Sequence, residues 1–294
     1  MNVLILVAAV VVGTWNGNWF PSGRAEHRAN PAVEDATTTA AAKMLADGIA
    51  ALDPAGTNDI VLCLCEMRGP RAASNLVERI GRKGLRLVSI SGYRRRDRFD
   101  MQQNAIATTL PVAETHWSLW RKEKGVLPPR GYAAASVVVE PAVTAQVYAV
   151  HLKANYGATT PEKRAENRAK REMASSQLVR AVTPKRGAGA ALAIVAGDFN
   201  MDPWRSEFAG ERTISVFTDA GFSNLMALMP AERRWTHPNR RFGNSALDHV
   251  LVRGFESVAA PVTVPSEELS DHYAFFGIIQ PKANTGIGKG KDED

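Results

Sequence analysis

The chain has 294 residues, 45% of them apolar and 22% charged, the proportions of a soluble globular protein with one large domain or two ordinary ones. No apolar run approaches the roughly 20 residues that cross a bilayer, so a membrane span is excluded. The 36 Lys and Arg against 30 Asp and Glu give a net charge of +6, which suits a polyanionic partner but speaks to association and not to chemistry.

Val3 to Val12 is apolar, with no Lys or Arg before it and no small-x-small site with a polar flank after it. It reads as the first buried strand rather than a signal-peptide core. The compartment stays open: cytoplasmic, or exported if the start was trimmed from a longer precursor. Asn16 to Asn30 reads as a polar loop and Val33 to Leu52 as an Ala-rich helix. Ile60 to Cys65 reads as a buried strand with Glu66 just beyond it. The only cysteines, Cys63 and Cys65, are poorly placed to bridge each other and have no nearby His for a zinc site. Pro70 to Gly81 is predicted as a helix with Leu76, Val77 and Ile80 on one face, and Leu85 to Ile90 as a strand.

The most basic loop follows, carrying Arg94, Arg95, Arg96 and Arg98. The runs Ala105 to Leu110, Ala133 to Val139 and Ala145 to Leu152 are expected as antiparallel strands. Pro161 to Val182 is a charged helix, with Glu166 and Lys170 spaced for an i,i+4 pair and its charges forming a solvated face. Lys185 to Gly189 is a turn, and Glu211 to Ala220 a short helix. Arg233 to Ser245 is a polar loop holding Trp235, His237, Arg240, Arg241 and Phe242. Leu247 to Val252 and Tyr273 to Ile279 are the last strands. The tail Pro281 to Asp294 has little to bury and is expected to be disordered, leaving one domain over residues 1–280. Strand connections too short for crossovers point to mixed or antiparallel sheets covered by helices.

The chemistry concentrates around Ile194 to Pro203, I-V-A-G-D-F-N-M-D-P. A short apolar run stops at Gly197, and strand periodicity then puts Asp198 and Asn200 on one side. An Asx-rich turn explains the same residues, so the decision rests on partners elsewhere. Five further strand ends supply them. Asn16 sits in T-W-N-G-N-W, Glu66 follows L-C-L-C, and His151 closes V-Y-A-V with Lys153 and Asn155 after it. Asp248 and His249 lie in L-D-H-V, and Asp271 and His272 follow Ser270.

With these motifs in this order, spanning Asn16 to His272, the chain resembles the endonuclease/exonuclease/phosphatase superfamily, which includes deoxyribonuclease I-like and exonuclease III-like enzymes. The resemblance implies an α/β class, a four-layer α/β/β/α sandwich of two packed mixed sheets between helices. It also implies a Mg²⁺ site, with Mn²⁺ as substitute, at Asn16 and Glu66, with Glu66 the principal ligand and Asp271 a further carboxylate nearby. Asp198 and Asn200 would orient water and phosphate, and His151 would contact the phosphate. Asp248 would hold His272, with His272 favoured as general base and Asp198 its rival. Asp202 and His249 are read as structural.

The family spans nucleases, phosphatases and sphingomyelinases. Arg94, Arg95 and Arg96, with Asn155 and Arg241, are the candidate substrate contacts, Trp235 and Phe242 offering stacking surfaces. The expected activity is a metal-dependent nuclease of low sequence specificity, DNA first and RNA next. Nucleic acid is its partner, and it is expected as a monomer without a stable protein partner. A phosphatase, a lipid phosphodiesterase and a non-catalytic binding module are the alternatives.

Overall fold

The computed structural model describes residues 9–22, 30–95, 98–99, 102–183, 192–241, 243–266 and 268–283. In chain order its elements are β1 (Val10–Phe20), α1 (Pro31–Leu52), β2 (Asp59–Met67), α2 (Pro70–Arg79), β3 (Arg86–Ile90), β4 (Arg94–Arg95), β5 (Arg98–Phe99) and β6 (Gln103–Thr108). Then come β7 (Val112–Leu119), β8 (Gly131–Glu140), β9 (Val143–His151), α3 (Pro161–Val182), β10 (Leu192–Asp198), α4 (Ser215–Asp219) and β11 (Ser223–Asn224). The chain closes with β12 (Asp248–Arg253), β13 (Phe255–Ser257), β14 (Val262–Val264) and β15 (Ala274–Pro281).

Two sheets carry the fold. One runs β13-β15-β1-β2-β6-β3, with β14 also on β15; the other runs β11-β12-β10-β9-β8-β7. Both are mixed: β1 pairs parallel with β2 and β10 parallel with β9, while the other pairings are antiparallel. Alternation along the strands sorts side chains into layers. Val10, Val12, Val61 and Cys63 meet Val147, Ala149, Ile194, Ala196 and Val250 between the sheets. Val11, Trp15, Ile60, Leu62 and Leu64 instead pack against Ala41, Leu45 and Ile49 of α1 and Leu76 of α2. Ala193, Val195 and Leu251 pack against Leu178 of α3 and Phe217 of α4. The expected four layers are therefore present, and strands covered on both faces read as unbroken apolar runs. Each such Val, Leu, Ile or Phe contributes about 1.5–3 kcal/mol by leaving water.

All three long helices start with Pro in the first turn, where its missing N–H costs nothing. Thr160 caps α3, its hydroxyl oxygen accepting the Lys163 N–H at 3.3 Å. The Glu166–Lys170 pair forms at 2.5 Å. The solvated-face reading of α3 fails at Arg171, which is 1% exposed.

Other departures have simple causes. The first strand, expected to end near Val12, runs on to Phe20 because Thr14 to Asn16 keep pairing with Cys63 to Cys65. Strand β7 escaped prediction because it is a sheet edge with both faces largely exposed, so its sequence carries polar residues throughout. Residues 3–8, the turn at 185–189 and residues 284–294 of the expected tail lie outside the described residues, while β15 continues to Pro281.

Candidate active site

The inter-sheet rows end in the polar residues. Following alternate positions, Val10 and Val12 lead to Asn16, Val147 and Ala149 to His151, Ile194 and Ala196 to Asp198, and Val252 and Val250 to Asp248. Register then aligns three of them, since Asp198 pairs with His151 on one side and with Asp248 on the other. Gly197 makes this row fit: its φ is +146°, and a Cβ there would stand 1.9 Å from the Val150 carbonyl oxygen.

Glu66 arrives differently. Cys65 faces the opposite sheet, its Sγ 3.0 Å from Val150 O, so alternation alone would turn Glu66 away. A register shift between Leu64 and Met67, with Glu66 at φ +56°, swings its carboxylate back into the row. A left-handed, non-glycine residue on a strand is costly and clusters at functional sites. Asn16 Nδ2 donates to Glu66 Oε1 at 3.3 Å and to Asp198 Oδ2 at 2.9 Å, while its Oδ1 accepts the Asn18 N–H at 3.0 Å. Its amide nitrogen thus ties the two carboxylates together. Glu66 Oε2 is buried without a hydrogen-bond partner. A buried carboxylate oxygen with an unused lone pair fits a hard cation that takes one or two protein oxygens and keeps its waters, as Mg²⁺ does.

Asp198 is 1% exposed and accepts three side-chain or backbone donors: Asn16 Nδ2, Asn200 Nδ2 at 2.9 Å and Asn200 N at 2.7 Å. Burial pushes its carboxyl up to about 7, with Asp248 adding to the rise and His272 and the donors pulling back. His272 Nδ1 donates to Asp248 Oδ2 at 2.7 Å, leaving Nε2 facing Asp198 Oδ2 at 3.9 Å. Burial works against the imidazolium, but Asp248, Asp198 and Asp271 outweigh it and raise His272 to about 10. His151 behaves oppositely. Burial, reinforced by Arg130, holds it well below the usual histidine range, so its ring is neutral, with Nε2 at 3.5 Å from Asp198 and 3.6 Å from Glu66.

Asp271 is expected beside Asn16 and Glu66, but the structure pairs it with His237 Nε2 at 3.8 Å, next to His272. Asp271 still lines the same cleft as Glu66, Asp198 and His272. Arg94 and Asn155 line the same cleft, about 1550 Å³ in volume. Arg95 falls in β4, and Arg96 and Phe242 lie outside the described residues. Arg241 is exposed and is not among the cleft-lining residues. Trp235, half-buried, packs on Tyr273 with ring centroids 5.0 Å apart. Asp202 accepts the Trp204 and Ala246 N–H groups, and His249 bonds Met201 O and Asn224, both structural as expected.

Three contributors carried no sequence signal. Thr236 donates to Asp248 Oδ2 at 2.6 Å, fixing the carboxylate that holds His272. Arg130 donates to His151 O at 3.2 Å and Leu152 O at 2.8 Å. Arg171 binds Glu211 through two bonds, 2.7 and 2.8 Å, and reaches Lys153 O at 2.8 Å and Asn155 Oδ1 at 3.1 Å.

The Endonuclease/Exonuclease/phosphatase family model matches residues 13–272, nearly the whole chain. The chain belongs to that family. No curated protein matches its sequence. Among solved structures it is similar to humanized D. rerio TDP2, with a TM-score of 0.61 and 14% identity over 92% of this chain and 99% of that one. It is similar to sphingomyelinase C from Streptomyces griseocarneus, at 0.59 and 18% over 93% and 99%. The human nocturnin catalytic domain gives 0.59 and 15% over 94% of each chain. These likenesses establish the endonuclease/exonuclease/phosphatase fold. Members of the family are divalent-metal-dependent hydrolases of phosphoester bonds. Among the described residues, no helix is long and apolar enough to cross a membrane.

Proposed function

We propose that this protein is a Mg²⁺-dependent nuclease of low sequence specificity. The observation that carries the reading is the charge layout of the cleft: an acidic floor at Glu66 and Asp198 within a lining that, the buried Arg171–Glu211 pair aside, has six Lys or Arg against four Asp or Glu. A cationic rim around a carboxylate floor suits a polyanionic backbone whose scissile phosphate must reach a metal.

Glu66, whose Oε2 has no hydrogen-bond partner, would hold the metal, and Asn16 keeps that carboxylate in place. When bound, Mg²⁺ supplies Lewis-acid stabilisation of phosphoryl charge. Asp198 takes the proton from the attacking water, as its carboxyl titrates near neutrality. The water oxygen bonds to phosphorus as the ester P–O bond opposite it breaks, and the departing alkoxide takes a proton from solvent. His272, kept cationic by Asp248, faces the charge that builds on the equatorial oxygens. Neutral His151 offers its Nε2 side to the same phosphate. The electrostatics thus favour Asp198 as base and His272 as charge stabiliser, reversing the preference drawn from sequence.

A lipid phosphodiesterase is the second reading, favoured by Trp117, Leu119 and Leu127, which are 43%, 54% and 53% exposed. The deciding experiment incubates the protein with Mg²⁺ or Mn²⁺ and single- and double-stranded DNA, RNA, an abasic duplex, sphingomyelin vesicles and inositol phosphates. Cleavage of the nucleic acids, abolished by EDTA, is expected. Intact nucleic acids beside hydrolysed sphingomyelin or inositol phosphate would overturn the nuclease reading.

A further inference from the structure

The loop leaving His151 is fastened residue by residue. Arg130 donates to the carbonyls of His151 and Leu152, and Asn200 Nδ2 adds a bond to Leu152 O at 3.3 Å. Arg171 holds Lys153 O and the Asn155 side chain, Lys153 Nζ donates to Ala154 O at 2.8 Å, and Ala158 N donates to Asn155 O at 2.9 Å. Gly157, at φ +74°, then turns the chain. The guanidinium behind this arrangement is fully buried, and its bonds to Glu211 and to the loop offset the cost of its desolvation.

What the fastened loop presents is Tyr156. It is 77% exposed, the most exposed large hydrophobic side chain among the described residues, and it lines the cleft beside Asn155 and Gly157. Arg164 and Arg168 of α3 line the cleft with it. An aromatic face held on a rigid tip among cations combines the two features that bind an unpaired strand: a ring for a base to stack on and positive charge for the backbone. A lipid surface would instead call for a contiguous patch of large apolar side chains, whereas Tyr156 is flanked by Asn155, Gly157, Arg164 and Arg168.

We propose that Tyr156 is the stacking platform for a nucleobase flanking the scissile phosphate, so that the cleft prefers single-stranded or frayed nucleic acid to a closed duplex. The inference rests on the nuclease reading. In a duplex the base faces are already stacked, and reaching Tyr156 requires a base to leave the stack.

The test compares wild type, Tyr156→Ala and Tyr156→Phe. Binding of a labelled single-stranded oligonucleotide and of the matching blunt duplex is measured by fluorescence anisotropy in EDTA, and KM and kcat are measured with Mg²⁺. Tyr156→Ala is expected to weaken single-strand binding on the order of tenfold and to raise KM while leaving kcat nearly unchanged. Tyr156→Phe retains wild-type binding, and the duplex responds to neither change. Equal single-strand binding by wild type and Tyr156→Ala, or a Tyr156→Phe as weak as Tyr156→Ala, overturns the stacking role while leaving the nuclease reading intact. A wild type that neither binds nor cleaves any oligonucleotide overturns both.

Discussion

Asp198 Oδ2 and His272 Nε2 stand 3.9 Å apart in a buried pocket, with Asp248 bound to the far nitrogen of the same imidazole. The three groups cannot be treated separately. Two carboxylates share one cation: burial, with Asp248 adding to it, pushes Asp198 up to about 7 against the pull of His272.

This fixes the shape of the pH profile. As pH rises through about 7, Asp198 loses its proton and becomes able to accept one from water, so kcat/KM climbs. As pH approaches 10, His272 loses the charge that faces the phosphate, and kcat/KM falls. Asp198→Asn should lower kcat by about 10²–10⁴-fold, the usual contribution of a general base. The measurement is a pH–rate profile at constant ionic strength and saturating Mg²⁺. A profile that only rises, with its midpoint near 10, assigns the base to His272 and sinks this scheme.

The same pair sets a stability signature. His272 binds its proton more tightly folded than unfolded, so the stabilisation is complete below its ordinary value of 6.5 and is lost as pH rises through about 10. Wild-type stability should therefore fall between pH 7 and 10. Asp248→Asn removes the main charge that raises His272, so the slope in that window should flatten and the alkaline limb of activity move to lower pH. Urea melts at pH 7 and pH 10 check this. An unchanged slope in Asp248→Asn would show that another group governs the window.

Most of this site was legible because it obeys period 2. Asn16, His151, Asp198 and Asp248 each end an apolar row, so sequence spacing and strand identity put them on one face. Glu66 breaks that period and was found by motif alone, since its left-handed φ is invisible in sequence. Arg171 falls within the helix whose charges read as a solvated face, and its pairing with Glu211 is invisible in sequence because the partners are 40 residues apart and meet only through the packing of α3 on the 205–213 segment. The contacts of Arg234 are equally invisible in sequence: it stacks on Trp204, 4.5 Å from the ring centroid, and binds Met229 O.

The orphaned Glu66 oxygen predicts how the metal is held. Glu66→Gln keeps the shape and the oxygen that faces Asn16 but removes the charge a divalent cation requires. Mg²⁺ should raise the melting temperature of wild type and leave Glu66→Gln unmoved. Mg²⁺-dependent hydrolysis should fall by at least about 100-fold, the scale on which lost electrostatic stabilisation acts. Thermal melts across a Mg²⁺ titration, with EDTA as the zero point, decide it. An equal Mg²⁺ shift in both proteins would place the ion elsewhere.

The buried Arg171–Glu211 pair offers the sharpest separation of stability from function. Arg171→Met leaves Glu211 buried and unpaired, with Thr213 its remaining donor at 2.6 Å, and should cost about 3–5 kcal/mol. Adding Glu211→Leu removes the stranded charge, so the double variant should recover most of that loss. It cannot restore the bonds to Lys153 O and Asn155 Oδ1. The double variant should thus melt near wild type yet show faster proteolysis of the 152–160 loop and a raised KM. If the double variant cleaves nucleic acid with wild-type KM, the guanidinium serves folding alone, and the loop is held without it.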